Sequence, residues 1–326
     1  MSRIKGKAKP ESRRLASVVV GVDVSKNWLD VCVHPCGERF RVANDAAGLP
    51  HLRERCLAVS AELVVMEATG RYHRAAHACL HDSGLSVAVV NPYRSRRFAD
   101  VLGRLAKTDR IDSEILARFG ATMRPAASAP PTEIMAQLAE MTRARRQIVD
   151  ARTSLERQHS EATSTIVKAQ IVERIELCQR HYQELERILL ELVRSNPQIA
   201  RRFNILMSVP GIGPVTAATL LVEMKELGSA NAAEVAALAG LAPMNRDSGL
   251  MRGRKTIRGA RGVVRNVLYM SAVVAIRWNR DLAAFYGRLR DVGKPFKVAI
   301  TAAMRKLLLL ANTLLKQDRA WSATPP

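Results

Sequence analysis

The feature that most constrains the fold is a continuous β-branched run near the N-terminus, Ser17–Val24, with the sequence SVVVGVDV. Such a run is typical of a strand that is buried on both faces of a sheet. The segments Trp28–His34 and Arg39–Val42 alternate in polarity, and Pro35-Cys36-Gly37 between them predicts a turn. We therefore expect three strands of one sheet, with the first strand in a central position.

Helical and extended patterns then alternate along the chain. The predicted segments are a helix at Ala46–Ser60, a strand at Leu63–Met66, a helix at Arg71–Asp82, a strand at Leu85–Val90 that Asn91-Pro92 ends, and a helix that begins near Thr108. This order, three strands, helix, strand, helix, strand and helix, predicts an α/β sheet domain. We place the domain at residues 17–124, after a basic tail at residues 1–16 that can touch phosphates.

Two carboxylates lie close together at the start of the last predicted helix, in the segment Lys107–Glu114. Thr108 is a suitable N-cap, and Asp109 and Asp112 are three residues apart, so they would share one helix face. Holding like charges side by side costs free energy unless a cation lies between them. The alternative is a solvated acidic turn, which also favours a helix N-terminus.

Two further carboxylates lie at strand ends. Asp23 is near the C-terminal end of the first strand, and Glu67 directly follows the fourth. Either acid alone could simply mark the exit from a sheet, but ligand sites in open sheets gather at such ends. If both converge with Asp109 and Asp112, their oxygens suit two Mg²⁺ ions, for which Mn²⁺ can substitute, in phosphoryl transfer.

The charge balance points to a polyanionic partner. The 326 residues carry 51 Lys and Arg against 30 Asp and Glu, a formal charge of +21 with a pI near 10.6. Nucleic acid is the simplest such partner. The rival is a membrane surface, but no run approaches the roughly 20 apolar residues of a spanning helix, and the N-terminus is no signal peptide.

The cysteines and histidines give weaker signals. The five cysteines have no zinc spacing, which favours reduced thiols in a cytoplasmic protein. His73, His77 and His81 would line one helix, and a metal site there is the alternative to a polar helix face. A metal site would normally recruit ligands from a second element as well.

The second half of the chain has a different pattern. A Pro- and Ala-rich stretch predicts a linker at residues 125–131, followed by helices rich in Glu, Arg, Gln and Leu at residues 132–196. A regular seam of apolar residues predicts a coiled coil, as a hairpin or a dimer stalk: Ile171, Ile175, Cys178, Tyr182, Leu185, Leu189 and Leu192. Two helices packed on a globular core are the alternative.

The C-terminal part, residues 197–320, carries the strongest nucleic-acid signal. Leu250–Lys306 holds 14 Lys and Arg against two acids. Upstream, Gly211 and Gly213 precede an Ala-rich helix, so their amides could hold a backbone phosphate, although a plain helix start explains them too.

Ser248 is a second candidate centre of chemistry. It lies in a loop with Gly, Asn and Asp, and four cations surround it in sequence: Arg246, Arg252, Arg254 and Lys255. A serine beside a glycine is ordinarily a turn residue, which is the alternative to a nucleophile.

Three separated strings resemble a known family. They are GVDVSK at Gly21–Lys26, VMEATG at Val65–Gly70 and KTDRIDSE at Lys107–Glu114. With the order of elements, they resemble the RuvC-type, ribonuclease-H-like domain of the insertion-sequence one-ten family. These are the DEDD transposases, known as recombinases guided by a bridge RNA. The segment from Ser248-Gly249 through Ile257-Arg258-Gly259 to Arg265 resembles the family's mostly α-helical C-terminal transposase domain, in which the catalytic serine lies.

The resemblance implies a transposase or site-specific recombinase of a mobile element. A metal-binding cluster of Asp23, Glu67, Asp109 and Asp112 and the nucleophile Ser248 would cut and rejoin donor and target DNA, which a structured non-coding RNA would select. The enzyme would act as a homodimer or tetramer in the bacterial cytoplasm, at the nucleoid when active, with the acids of one subunit facing the serine of another. The expected nucleic-acid contacts are Lys107, Arg110, Gly211, Gly213, Arg246, Arg252, Arg254, Lys255, Arg258, Arg261 and Arg265.

Two other functions are compatible with the residues alone. One is a metal-dependent RuvC-like nuclease or junction resolvase, in which water attacks the phosphate and Ser248 is structural. The other is a non-catalytic nucleic-acid-binding protein. Intact acids at all four positions argue against the latter, because binding alone needs no carboxylate cluster in a basic protein.

Overall fold

The computed structural model describes residues 17–103, 109–245, 253 and 255–323, with the side chains of residues 109–111 outside the description. The described residues fall into two compact units, divided between Pro131 and Thr132. The residues assigned to a linker, 125–131, are part of the first unit.

The first unit is built on a five-stranded sheet within the described residues. Its elements are β1 (Val19–Val24), β2 (Trp28–His34), β3 (Arg39–Ala43), α1 (Gly48–Ala58), β4 (Leu63–Glu67), α2 (His73–Asp82), β5 (Val87–Val90), α3 (Pro92–Val101) and α4 (Asp109–Met123). The sheet order is β3-β2-β1-β4-β5. β1 pairs antiparallel with β2 and parallel with β4, so the β-branched run is the central strand, as predicted.

The two faces of β1 pack against different helices. Val20 and Val22 belong to a core with Leu52 of α1 and Leu80 of α2. Val19, on the alternate face, belongs to a second core with residues of β4 and of α4. Because successive strand residues point to opposite faces, an apolar run was required for a sheet covered on both sides.

Helix α3 is an element that the sequence interpretation missed. Asn91-Pro92 was taken only as the end of a strand, but it also starts this helix. The Asn91 side chain accepts a hydrogen bond from the Tyr93 backbone N–H at 2.8 Å, and Pro92 occupies the first helical position. Proline is well suited to that position, because its missing N–H has no partner there in any helix.

The second unit is mainly helical in its described part, with one isolated β-bridge between Met244 and Thr256. Its elements are α5 (Glu133–Glu161), α6 (Thr165–Arg194), α7 (Pro197–Met207), α8 (Pro214–Glu223), α9 (Ala232–Leu238), α10 (Gly262–Trp278), α11 (Arg280–Asp291) and α12 (Phe296–Lys316). An α/β sheet domain followed by a helical region agrees with the predicted fold class.

Helices α5 and α6 pack along each other as a hairpin. The arginines that interrupt the apolar pattern of α5 pair across it: Arg145 lies over the Tyr182 ring, and Arg152 donates to the Gln179 side chain at 2.8 Å. Leu138 and Leu189 enter the core of the second unit, so the hairpin also packs on a globular core. A supercoiled stalk stays a prediction.

The expectation that no stretch approaches a membrane-spanning helix is wrong for α12, which is long and apolar enough by length and composition. However, 56% of that stretch is buried within the described protein. Leu307, Leu308 and Ala311 lie in the core of the second unit. These contacts are those of a central core helix, to which α10 and α11 pack.

Candidate active site

The parallel pairing of β1 with β4 brings two predicted site residues together. Val22 is the partner of Met66, so the register continued by one residue sets Asp23 beside Glu67. Both side chains are partly buried. Glu67 is the last residue of β4 rather than the first residue after it. The two residues therefore lie on neighbouring strands at the C-terminal edge of the sheet.

Both carboxylates lie on the face that α4 covers. Asp23 is two residues after Gly21, where α4 crosses β1, and Glu67 is two residues after Val65, which packs in the core shared with α4. Residues two apart in a strand point to the same face. On the helix, the partly buried Asp112 is one turn before Leu116, which belongs to that core. Asp112 thus lies on the sheet-facing side of α4.

The donor set fits a hard divalent cation in its chemistry. Carboxylate oxygens on two neighbouring strands and on the facing helix are ligands that Mg²⁺ accepts. Among the described residues, no three His, Cys, Asp or Glu side chains come close enough to hold a metal ion. Asp109 is the first residue of α4, and its side chain lies outside the described residues. Convergence of all four acids stays a prediction.

Asp30 is a further acid on this face of the sheet that the sequence interpretation overlooked. It lies opposite Asp23 in the antiparallel ladder of β1 and β2, and therefore on the same face. Arg41 of β3 binds it through two hydrogen bonds of 2.8 and 2.9 Å. The signal in the sequence was an acid between two apolar strand residues, Leu29 and Val31, both of which are buried.

Among the described residues, the three histidines of α2 belong to no group of metal ligands. His77 is 3% exposed, and its Nε2 lies 2.7 Å from the backbone oxygen of Ser128. Burial lowers the pKa of His73. All three histidines are described, and they belong to no group that could hold a metal. The described residues thus favour the polar role of this helix face, in which His77 holds the segment after α4 to the first unit.

The predicted basic contacts differ in their surroundings. Lys255 and Arg258 are exposed. Arg261 binds both carboxylate oxygens of Glu226 at 2.6 Å, and Arg265 donates to the Gly259 backbone oxygen. Lys107, Arg246, Ser248, Arg252 and Arg254 lie outside the described residues, as does the side chain of Arg110.

The pair of Arg261 and Glu226 shifts the pKa of both groups. Burial is the largest single influence and would raise the pKa of Glu226, but the hydrogen bonds and charge of Arg261, a backbone hydrogen bond and the charge of Lys225 together lower it. The hydrogen bond to Glu226 raises the pKa of Arg261. This arginine therefore has a structural partner in the folded chain, whatever else it contacts.

The two glycines before α8 have different roles. A Cβ at Gly211, where φ is +101°, would lie 2.7 Å from the Ser271 backbone oxygen, so α10 requires a glycine there. Gly213 is the N-cap of α8, and no atom lies within 4 Å of its ideal Cβ. Close helix packing explains Gly211, whereas Gly213 is the position open to a phosphate.

Models of known protein families match residues in both units. A DEDD transposase model of the IS110 group, described as a transposase, matches residues 20–166. A second model, described as a transposase of the IS116/IS110/IS902 family, matches residues 203–287. The first match contains Asp23, Glu67, Asp109 and Asp112, and the second contains Ser248.

Individual proteins are also similar in sequence to this chain, two of them over nearly its whole length. The pilin gene-inverting proteins of Moraxella bovis and Moraxella lacunata are each 30% identical over 321 residues, covering 94% of this chain and 98% of theirs. An uncharacterised 42 kDa protein of the insertion element IS900 from Mycobacterium paratuberculosis is 32% identical over 127 residues. That alignment covers 37% of this chain and 31% of the relative.

Proposed function

The chain belongs to the IS110 family of DEDD transposases, and we propose on this premise that it cuts and rejoins DNA with a carboxylate cluster and a serine nucleophile. It is an enzyme, a DNA transposase or recombinase. The observation that carries the proposal is the adjacency of Asp23 and Glu67 on parallel strands, under a helix that begins with Asp109 and contains Asp112.

We assign Asp23, Glu67, Asp109 and Asp112 as the residues that hold two Mg²⁺ ions. Bound ions supply positive charge that stabilises a phosphate under attack and favours an ionised nucleophile. The chain contributes the placement of the acids, with two residues on strands and two in the first turn of α4. Rigid elements hold such groups more accurately than loops do.

Ser248 is the proposed nucleophile. Its Oγ would form a bond to a DNA phosphorus as one of the two ester bonds of that phosphorus breaks, and a sugar hydroxyl would leave. The serine gives up its proton and the departing oxygen gains one. Because the phosphate ester is exchanged rather than hydrolysed, the reverse attack by a DNA hydroxyl rejoins a strand and restores the serine.

The names of the two Moraxella relatives support rejoining as well as cutting. They are called pilin gene-inverting proteins. Inversion of a segment requires that every strand cut is also resealed. We propose that this chain likewise rearranges DNA without net loss of phosphodiester bonds, which a covalent serine intermediate allows.

Nucleic-acid binding is proposed to involve both DNA and a structured guide RNA. The formal charge of +21 and the exposed Lys255 and Arg258 support binding of polyanions. Sequencing the nucleic acid that co-purifies with the protein tests the guide. Recovery of one structured RNA supports the proposal, and recovery of random fragments alone contradicts it.

Assembly into a homodimer or tetramer is also proposed, with the hairpin of α5 and α6 as a contact. Ile166 and Leu177 of α6 are 71% and 43% exposed, which supports a partner on the hairpin. Light scattering of Leu177→Glu tests this contact. A smaller particle than that of the parent supports it, and an unchanged mass contradicts it.

The decisive experiment separates serine attack from attack by water. A reaction stalled on DNA and denatured should leave DNA joined to protein on a gel, and Ser248→Ala should lose both this adduct and recombination. The control Ser195→Ala removes a hydroxyl that donates to the Leu192 backbone oxygen at a helix end, and should react normally. If Ser248→Ala still cuts DNA at the parent's rate with metal, the protein is instead a metal-dependent nuclease.

A further inference from the structure

Ser95, in the first turn of α3, donates a hydrogen bond from its hydroxyl to Oε1 of Glu67. Ser95 is 3% exposed and Glu67 is partly buried, so this bond is partly shielded from solvent. We propose that Ser95 is a positioning residue that orients the Glu67 carboxylate to bind a divalent cation. This inference rests on the proposed function, because it assumes that Glu67 is a metal ligand.

The sheet fixes both ends of this contact. Glu67 is the ladder partner of Val90 in the parallel pairing of β4 with β5. The next residue after Glu67, Ala68, donates its N–H to the Val90 backbone oxygen at 3.0 Å. Helix α3 starts two residues after β5 ends, so Ser95 lies on the helix that directly follows the strand beside Glu67.

The helix start fixes Ser95 further. Asn91 caps α3, because its side chain accepts from the Tyr93 N–H at 2.8 Å and its backbone oxygen accepts from the Arg94 N–H at 2.8 Å. A capped first turn loses little order by fraying. Strand β5 and the capped first turn of α3 thus hold the Ser95 hydroxyl next to Glu67.

A serine has one hydroxyl hydrogen, and two acceptors compete for it. The Pro92 backbone oxygen lies 3.0 Å from the Ser95 hydroxyl, in addition to Glu67. A charged acceptor forms the stronger hydrogen bond, so the hydrogen is directed to Glu67 when that group is ionised. A carboxylate has about four lone-pair sites, so one bond from Ser95 orients Glu67 and leaves sites for a cation.

Partners of this kind typically change metal affinity by about 10–100-fold. Ser95→Ala removes the donor, and Ser95→Cys has nearly the same shape but is a weak donor. We expect both variants to bind Mn²⁺ about tenfold more weakly than the parent. The matched control is Ser83→Ala, which removes a partly buried hydroxyl that donates at 2.8 Å to the Cys79 backbone oxygen in the same unit. It should bind Mn²⁺ as the parent does.

The experiment is calorimetric titration of the full chain with MnCl₂, together with the melting temperature without metal. Weaker Mn²⁺ binding by Ser95→Ala and Ser95→Cys, at a melting temperature near the parent's, supports the proposal. Unchanged Mn²⁺ affinity overturns it, and a lower melting temperature alone shows a structural role only. If Ser95→Ala does not fold, Ser95→Cys decides by the same criterion.

One further variant distinguishes failure of this inference from failure of the proposed function. If Glu67→Gln loses Mn²⁺ binding while both Ser95 variants retain it, only the role of Ser95 is overturned. If Glu67→Gln binds Mn²⁺ as the parent does, the assignment of Glu67 as a metal ligand is itself wrong, and the role of Ser95 falls with it.

Discussion

Gly21 lies directly beneath the backbone of Ser113. An ideal Cβ on Gly21 would stand 2.1 Å from the Ser113 carbonyl oxygen and 2.3 Å from the backbone nitrogen of Ala117. Helix α4 therefore touches β1 backbone to backbone at this point. Asp23 is two residues along the strand and Asp112 is next to Ser113, so this close approach places a carboxylate-bearing helix against a carboxylate-bearing strand.

Gly21→Ala should destabilise the first unit. The added methyl meets backbone atoms that cannot rotate away, so α4 must move, and we expect a loss of about 1–3 kcal/mol or more. Urea unfolding measures it. The control is Gly287→Ala in α11, where no atom lies within 4 Å of an ideal Cβ; it should stabilise its helix by about 0.5–1 kcal/mol. An unchanged urea midpoint for Gly21→Ala would contradict this account of the packing.

Asp112→Asn should abolish strand cleavage while nucleic-acid binding persists. The substitution keeps the side-chain shape but removes the charge that would hold a cation. A bound cation contributes several kcal/mol of transition-state stabilisation, so its loss should slow cleavage at least about 100-fold. Cleavage of labelled DNA and a gel-shift assay measure the two properties. Asp82→Asn, at an exposed acid at the end of α2, is the control and should cleave normally. Parental cleavage by Asp112→Asn would remove this acid from the site.

Replacing Lys255 and Arg258 together with Gln should reduce the salt dependence of nucleic-acid binding. A cation that neutralises one phosphate contributes about 0.9 to the slope of log affinity against log salt, so removing the pair should change that slope by about 1.8. Binding measured across a salt series gives the slope. Arg187→Gln is the control, because Arg187 is already paired with Glu191 at 2.7 Å. A slope equal to the parent's would place the binding surface elsewhere.

Arg261→Gln should destabilise the second unit near neutral pH and less so in acid. The partly buried pair with Glu226 contributes about 1.5–3 kcal/mol by the usual net strength of hydrogen bonds to charged groups. The pKa of Glu226 is lower in the folded state than its ordinary value of 4.5. The ionised Glu226 therefore stabilises the fold at pH values above 4.5, and this stabilisation is lost as the pH falls below 4.5.

Urea unfolding of the parent and of Arg261→Gln, measured at neutral pH and again at a pH below 4.5, tests this expectation. The difference between the two midpoints should shrink in acid. Arg258→Gln is the matched control, since the Arg258 side chain is exposed, and its difference from the parent should be small at both pH values. A difference for Arg261→Gln that is equal at both pH values would show that the ion pair is not its cause.

The periodicity of the sequence was sufficient for most of the first unit. The β-branched run of β1 could be satisfied only by a central strand, and the positions of Asp23 and Glu67 at strand ends followed from the strands themselves. The strings around the acids were enough to indicate the family, and the comparisons confirm it. Periodicity is a local property, so it is visible in the order of residues along a single chain.

Only the tertiary structure decided which side chains meet. Asp30 opposite Asp23, Ser95 against Glu67 and Arg261 on Glu226 join residues 7 to 35 positions apart in the chain. No local pattern encodes such pairs, because they depend on strand register and on the path of the intervening chain. A basic residue looks the same in sequence whether it faces a phosphate or an internal carboxylate. Register and packing determine which partner it has, since each buried charge must be satisfied by whatever the fold brings within hydrogen-bonding distance.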